Sequence, residues 1–219
     1  THILQGKSGI DLIKSFDTSK HTVKIAGEVK DFQPETKVDP KMLKRLDRCV
    51  QLSIWATIEA VADAGIDFEK YNKTDIGVII GSGIGGLLTW EEEHTKFMNQ
   101  GPSRVSPFLI PMMIPDMTSG YVAIYYGLKG PNYTTVSACA SGAHAIGTAF
   151  REIKLGNASV IITGGAEAPV TPFALAGFSN MRALSRRNEE PQKASRPFDQ
   201  ARDGFVMAEG AATLILEEL

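Results

Sequence analysis

Residues 74–86 read TDIGVIIGSGIGG, an apolar run that leads directly into a glycine-rich loop. A second segment of the same kind, ASVIITGGAEA, occupies residues 158–168. Continuous apolar runs of this length, bounded by turn residues, are typical of strands buried on both faces of a sheet. Amphipathic helical patterns separate the two runs, so the sequence predicts an α/β fold whose sheet is covered by helices.

Two helical patterns are the strongest of these. Residues 40–64 carry apolar residues at helical spacing, and Gly65 follows them as a stop signal. Residues 141–157, SGAHAIGTAFREIKLGN, predict a second helix that buries one apolar stripe and ends near its C-terminal glycine. The stripe consists of Ile146, Phe150 and Ile153.

Shorter segments complete the predicted order of elements. Strands are predicted within residues 21–29 and 211–219, and a third within residues 132–139 that ends at Cys139. Residues 101–120 hold four prolines and three methionines among apolar residues. This block is too interrupted for one regular helix, so it predicts a packed irregular segment or a subunit interface.

Composition excludes several classes of protein. The 219 residues carry a net charge of −2 at pH 7, so no overall basic field favours a nucleic-acid partner. No apolar run reaches about 18 residues, the length that a membrane span needs. The two cysteines, Cys49 and Cys139, form no CxxC pair, which argues against a zinc site or a disulfide framework. We therefore expect a cytoplasmic protein that holds no metal and no membrane segment.

The glycine loop invites a comparison with nucleotide-binding loops. Residues 81–86, GSGIGG, match the pattern G-x-G-x-x-G. A dinucleotide-binding unit also needs an acidic residue about 20 positions later, at the end of a second strand. The corresponding region, residues 103–111, reads SRVSPFLIP and contains no acid. A tight turn is the favoured interpretation, and a nucleotide-binding module is the alternative.

Cys139 is the candidate nucleophile. It stands just ahead of a predicted helix, where unpaired backbone N–H groups and the positive end of the helix dipole stabilise a thiolate. The same N–H groups could hold an oxyanion formed when the sulfur attacks a carbonyl. The neighbouring residues are small, which leaves room for a reacting group: Ala138, Ala140, Gly142 and Ala143. The alternative is a buried and chemically inert thiol.

The histidines and the second cysteine carry weaker signals. His144 follows Cys139 by five residues, which is about 140° around a helix, so its ring should point away from the thiol. Cys49 lies within a long amphipathic pattern and is expected to be structural. The other histidines are expected at the surface: His2, His21 and His94.

Several motifs together resemble the β-ketoacyl-acyl-carrier-protein synthases, the condensing enzymes of fatty-acid synthesis in the thiolase-like superfamily. The segment SACASGAHAIG, residues 137–147, resembles the nucleophile motif of that family. Other motifs occur in the family's order and spacing: IGVIIGSGIGG, VSPFLIP, YGLKGPN, GGAEAPVTPFALAGFSNMRALS and ASRPFDQARDGFVMAEGAATLILEE. The similarity covers almost the whole chain and is greatest to the elongating type II synthases.

The resemblance implies a two-step reaction that needs no cofactor. In this family a cysteine takes an acyl group from a carrier thioester. Malonyl-carrier then loses carbon dioxide, and its carbanion attacks the cysteine thioester in a decarboxylative Claisen condensation. The cysteine at this position is Cys139, and its own backbone N–H would supply half of the oxyanion hole.

The resemblance also implies an acyl channel and a carrier partner. Ile84 and Phe178 match positions that line or gate the channel, while Leu109 and Ile110 match a segment that crosses a homodimer interface. The acyl carrier protein is acidic, so its docking surface should be locally basic. Candidate docking residues are Lys41, Lys44 and Arg45, which cluster at the start of the long helical pattern. Arg104 and Arg182 match further basic positions around the family's entrance.

The family's two catalytic histidines, its lysine and its second oxyanion donor lie in a C-terminal half that this sequence does not contain. A first strand ahead of Thr1 is also expected to be missing. We therefore expect residues 1–219 to form one incomplete N-terminal domain with a mixed, mostly parallel sheet, from an enzyme layered α-β-α-β-α. The stretch alone should not condense.

Three alternatives remain at this point. A polyketide synthase condensing domain would share the fold but prefer other acyl chains. A nucleotide-binding module would use the GSGIGG loop instead of the cysteine. A cysteine hydrolase would need a histidine close to Cys139 and would release free acid from a thioester. For the condensing enzyme, a cytoplasmic location is expected in a bacterium, or an organellar matrix in a eukaryote.

Overall fold

The computed structural model describes residues 3–219, so the prediction for His2 lies outside the described residues. The strands and helices are β1 (Asp11–Leu12), β2 (Ile25–Ala26), α1 (Pro40–Leu43), α2 (Arg48–Ala64), β3 (Ile76–Gly81), α3 (Leu87–Gln100), α4 (Leu109–Met113), α5 (Met117–Tyr126), β4 (Asn132–Tyr133), α6 (Ser141–Lys154), β5 (Val160–Glu167), α7 (Pro172–Asn180) and β6 (Gly210–Glu217). Short 3₁₀ helices cover Ile3–Gln5, Pro34–Thr36, Phe68–Lys70, Lys73–Asp75, Pro102–Arg104 and Pro191–Lys193.

The chain forms two compact units. The sheet unit consists of Gln33–Ala168 and Gly210–Leu219, and the second unit consists of the chain up to Phe32 together with Pro169–Glu209. In the second unit β1 and β2 pair antiparallel, and it also contains α7.

A four-stranded sheet in the order β4-β3-β5-β6 forms the centre of the sheet unit. β3 pairs in parallel with β4 and β5, whereas β6 runs antiparallel to β5. Every residue of β3 is buried. The predicted mixed, mostly parallel sheet is therefore confirmed.

Helices pack on both faces of this sheet. On one face Ile79 and Ile161 form a buried cluster with Ala145 and Ala149 of α6. On the other face α2 approaches β6, where the hydroxyl of Thr57 lies 3.4 Å from that of Thr213. Side chains alternate between the two faces of a strand, so strands sandwiched in this way must be apolar at successive positions. Among residues 3–219 no helix is both long and apolar enough to cross a membrane.

The helix α6 buries the predicted stripe only in part. Its fully buried residues are Ser141, Ala145 and Ala149, and Ile153 of the stripe packs against the buried cluster that contains both alanines. Ile146 is half-buried, whereas Phe150 is 60% exposed. Small side chains on the buried face let the helix backbone approach the strands closely, and a bulky stripe would hold it away. Hydrophobicity therefore identified the helix and one of its core contacts, but not the alanines that face the sheet.

Three element boundaries also differ from the predictions. The pattern over residues 40–64 is two helices, because Asp47 is extended and its carboxylate accepts the Cys49 N–H to begin α2. The strand ending at Cys139 is only β4, and residues 134–140 are irregular. The strand predicted within residues 21–29 shortens to β2. The proline-rich block forms α4 and the start of α5, with a break between them.

Candidate active site

Cys139 lies in a tight turn immediately before α6, and its side chain is exposed. The preceding residue, Ala138, has φ = 51°, in the left-handed region that residues with a Cβ rarely adopt. A residue held in that region costs about 1–3 kcal/mol, so neighbouring contacts must maintain the conformation. The turn is therefore a constrained corner rather than the end of a strand.

Ser141 supplies those contacts. Its hydroxyl accepts the Ser137 N–H at 2.9 Å and donates to the Ala138 carbonyl at 2.7 Å, and its side chain is buried. The Ser141 N–H also donates to the Ala138 carbonyl, at 3.0 Å. Its own carbonyl accepts the Thr135 hydroxyl at 2.8 Å. One buried serine thus bonds to both sides of the turn that carries Cys139.

Glycines bring the start of α6 against the sheet. A Cβ on Gly81, the last residue of β3, would lie 2.2 Å from the carbonyl carbon and oxygen of Ser141. Gly165 of β5 is in similar contact with Gly142, since a Cβ on Gly165 would lie 3.1 Å from the Gly142 Cα. The first turn of α6 therefore rests directly on the backbone of two strands, and this contact positions the corner at Cys139.

The N-terminus of α6 follows Cys139 directly. Ala140 is the N-terminal cap residue of α6 and makes no side-chain cap hydrogen bond. The positive end of the 14-residue helix thus faces the turn that carries Cys139. Backbone N–H groups at a helix N-terminus can stabilise the oxyanion that forms when a sulfur attacks a carbonyl.

A carboxylate occupies the glycine loop. Glu167, the last residue of β5, accepts the N–H groups of Gly83 at 2.6 Å, Ile84 at 3.1 Å and Gly85 at 3.2 Å. The Ser82 hydroxyl donates to the same carboxylate at 3.1 Å. These N–H groups are the donors that a nucleotide phosphate would need. The internal carboxylate uses them and would repel a phosphate, which counts against the nucleotide-binding alternative.

The glycine loop borders the cysteine corner. A Cβ on Gly83 would lie 3.5 Å from the Ala138 carbonyl oxygen, so the loop and the turn before Cys139 are neighbours. The Ile84 side chain is 39% exposed. On the far side the loop packs on the proline-rich block, where a Cβ on Gly86 would lie 2.1 Å from the Met112 carbonyl oxygen. The structure thus brings the predicted nucleophile and the loop that carries Ile84 together.

The other predicted channel residues lie in different places. Leu109 and Ile110 begin α4 in the sheet unit, and the Ile110 side chain is 60% exposed. Phe178 lies on α7 of the second unit and packs edge-to-face on Phe205, with ring centroids 5.5 Å apart.

The predicted docking residues are all exposed. Lys41, Lys44 and Arg45 lie on α1 and directly after it, and the Arg45 guanidinium lies 4.6 Å from the centroid of the Phe108 ring. Arg104 ends a 3₁₀ helix and donates to the side chain of Gln100. Arg182 lies in the second unit and has φ = 56°.

The described histidines contact serine and aromatic side chains. His144 is exposed, and its Nδ1 lies 2.7 Å from the Ser137 hydroxyl. It lines an open groove of about 560 Å³ with Thr135, Val136, Ser137, Ala143, Gly147, Thr148 and Arg151. His94 stacks on Trp90 and His21 packs edge-on against Phe16. Within residues 3–219 no group of three histidine, cysteine or acidic side chains could hold a metal ion.

Cys49 is a structural residue. It is buried at the start of α2, and burial together with the Asp47 carboxylate raises the pKa of its thiol well above the usual value. A thiol held in its neutral form is a poor nucleophile. The two cysteines therefore differ in exposure, since Cys49 is buried and Cys139 is exposed.

Sequence reasoning missed two residues of this site. They are Ser141 and Glu167, each of which makes several hydrogen bonds that shape the site. For Glu167 a signal was present, because an acid at the end of one parallel strand can reach a glycine loop at the end of the next. For Ser141 the sequence offered no comparable signal.

The fold is that of ketosynthases. The chain superposes on a crystal structure of a β-ketoacyl synthase from Burkholderia phymatum STM815 with a TM-score of 0.88 and 32% identity, over 98% of this chain and 53% of that one. The ishigamide ketosynthase/chain length factor matches with a TM-score of 0.88 and 28% identity, over all of this chain and 53% of that one. These matches confirm the predicted fold as the N-terminal half of a ketosynthase.

The chain belongs to the β-ketoacyl synthase family, since residues 1–219 match the family's N-terminal domain. It is 50% identical over 217 residues to 3-oxoacyl-[acyl-carrier-protein] synthase 2 of Synechocystis, and 51% identical over 216 residues to the enzyme of the same name from Staphylococcus aureus. Each alignment covers 99% of this chain and 52% and 53% of the respective relative. The chain thus spans about half the length of these relatives.

Proposed function

We propose that this chain supplies the nucleophile half of a 3-oxoacyl-[acyl-carrier-protein] synthase that extends fatty acids. The observation that carries the proposal is Cys139, an exposed thiol on a strained corner before α6, in a chain 50% identical to such a synthase over 99% of its length. Residues 1–219 would act as one N-terminal domain of the longer enzyme.

In the first step the Cys139 thiolate attacks the carbonyl carbon of an acyl-carrier thioester. The carbonyl electrons move onto oxygen, where the Cys139 N–H and the positive end of α6 stabilise the negative charge. Collapse of this intermediate breaks the bond to the carrier sulfur. The acyl group is then on Cys139, and the carrier leaves as a thiolate that takes up a proton.

In the second step malonyl-carrier loses carbon dioxide, and the electron pair of the broken carbon–carbon bond forms a carbanion. The carbanion attacks the carbonyl carbon of the Cys139 thioester, so a new carbon–carbon bond forms. The carbon–sulfur bond then breaks and regenerates the Cys139 thiolate. Decarboxylation needs polar groups beside the malonyl unit, and we assign these to the half of the enzyme that the relatives possess beyond this chain.

The acyl chain on Cys139 would run along the glycine loop past Ile84. We propose Phe178 as a further wall or gate of this channel, and Leu109 and Ile110 as residues that close the pocket of a second copy in a homodimer. The proximity of the loop to the turn before Cys139 supports the assignment of Ile84.

The partner would be an acidic acyl carrier protein that docks on exposed basic residues. We propose Lys41, Lys44, Arg45, Arg104 and Arg182 for this surface; all five are exposed, which supports the proposal. Docking by charge predicts weaker binding at high salt. The relatives from bacteria support a cytoplasmic location.

The test is acylation of the full-length protein by an acyl-carrier thioester, followed by mass spectrometry of its peptides. The acyl group should appear on Cys139, and Cys139→Ala should abolish both acylation and condensation. Cys49→Ala is the matched control, because Cys49 is buried and should leave acylation intact. An acyl group on another residue, or full activity of Cys139→Ala, would refute the proposal.

A further inference from the structure

Glu167 makes an unusual set of contacts for an acidic side chain at the end of a strand. Its carboxylate accepts three consecutive backbone N–H groups and one hydroxyl, all from residues 82–85. Consecutive N–H groups that converge in this way form a concave anion-binding nest. In this protein the anion is part of the chain, so the nest serves the structure rather than a ligand.

The glycines of the loop are placed to admit this carboxylate. A Cβ on Gly83 would lie 2.8 Å from a carboxylate oxygen of Glu167, so any larger residue would displace it. Gly85 has φ = 77°, and a Cβ there would lie 2.8 Å from the Pro115 nitrogen. The loop is therefore held by Glu167 on one side and by the proline-rich block on the other.

Ile84 is the one residue between these two glycines. Its N–H group donates to both oxygens of Glu167, at 3.2 Å and 3.1 Å. Its side chain is exposed, and the preceding Gly83 borders the turn before Cys139. The carboxylate therefore determines where the Ile84 backbone lies, and through it the direction of the Ile84 side chain.

We propose that Glu167 is a positioning residue that sets acyl-chain-length preference by holding Ile84 in place. The inference rests on the proposed function, in which an acyl chain on Cys139 passes Ile84. A long acyl chain contacts more of the channel wall to which Ile84 belongs than a short one does. Its binding therefore depends more on a fixed position of that wall. Loosening the loop should penalise long acyl chains selectively.

The test uses the full-length enzyme with Glu167→Gln, which preserves side-chain size but replaces one accepting oxygen by an N–H donor. We expect kcat/KM for tetradecanoyl-carrier to fall at least about tenfold more than for butyryl-carrier. Gly83→Ala should also lower kcat/KM more for tetradecanoyl-carrier than for butyryl-carrier, because the new Cβ displaces the Glu167 carboxylate. The matched control is Glu93→Gln, which removes a buried carboxylate bonded to the Ser106 N–H elsewhere in the sheet unit.

A double-variant cycle tests whether Glu167 acts through Ile84. In an Ile84→Ala background, Glu167→Gln should no longer change the ratio between the two chain lengths. If Glu167→Gln lowers kcat/KM equally for both chain lengths, or if Glu93→Gln shifts the ratio between them as much, the inference is overturned. Neither result would contradict the proposed function. Failure of the unmodified enzyme to acylate Cys139 would instead refute the proposed function.

Discussion

Gly81→Ala should disrupt the contact between the sheet and the first turn of α6, next to Cys139. Gly81 ends β3, directly beneath the first turn of α6. The new Cβ would lie 2.2 Å from the carbonyl carbon and oxygen of Ser141 and 2.5 Å from the Gly142 nitrogen. Both neighbours are backbone atoms, so no side chain can rotate away to relieve the overlap.

The size of the effect follows from how far the two backbones must separate. Ordinary contact requires 3.4 Å, so α6 and β3 must move apart by about 1 Å. The Ser141 carbonyl is held by the Thr135 hydroxyl, and Gly81 is paired with Gly165 in the sheet. Neither backbone can move freely, so we expect the free energy of unfolding to fall by about 3 kcal/mol, near the upper end of the usual cost of overpacking a core. A shift of about 1 Å at a reacting group also costs about 100-fold in rate.

The assay is urea unfolding of the full-length protein at pH 7, with the rate of Cys139 acylation measured on the same samples. Gly147→Ala is the matched control, because Gly147 lies on α6 and a Cβ there meets nothing within 4 Å. Replacing a glycine inside a helix by alanine should stabilise the protein by about 0.5–1 kcal/mol. Replacing glycine by alanine should thus lower the free energy of unfolding at position 81 and raise it at position 147.

A Gly81→Ala protein that is as stable as the unmodified protein and acylates at the same rate would contradict this prediction. That result would mean that α6 does not rest on the backbone of β3. Loss of stability in both variants would point to a general sensitivity of α6 instead of the contact at Gly81.

Two further predictions concern buried carboxylates. Asp47→Ala should destabilise the protein by about 3 kcal/mol in urea unfolding, because the buried Asp47 caps α2 and accepts both the N–H and the hydroxyl of Thr89. Asp67 is an exposed cap, so Asp67→Ala should lower the free energy of unfolding by less than about 1 kcal/mol. An equal loss for Asp47→Ala and Asp67→Ala would contradict the prediction. Glu93 is bonded to Lys96 and to a backbone N–H, which lower the pKa of its carboxyl below the usual 4.5. This carboxylate therefore stabilises the fold above pH 4.5, and its contribution is lost as the pH falls through the lower folded-state pKa. Glu93→Gln should accordingly show a smaller drop in urea midpoint between about pH 5 and pH 3; an unchanged drop would exclude Glu93 as a source of acid sensitivity.

The strands and the helices that surround them could largely be predicted from local pattern. β3 and β5 appear in the sequence as uninterrupted apolar runs, because both faces of these strands are covered. The packing face of α6 could be predicted only in part: Ile153 packs on the core, but hydrophobic periodicity also favours the exposed Phe150, whereas the close approach to the sheet favours alanines. Local capping explains a second error: Asp47 starts a new helix where apolar spacing alone suggests continuity.

The family, the α/β class and the candidate nucleophile could be predicted from sequence, because they depend on residue types at fixed spacing along the chain. That Glu167 fills the glycine loop and that Ser141 holds the corner at Cys139 is visible only in the folded protein. The Glu167 contact joins residues more than 80 positions apart, through hydrogen bonds that exist only after β3 and β5 pair in register. A periodic pattern reports the environment of each residue, whereas a hydrogen bond between distant segments depends on where the folded sheet places both partners.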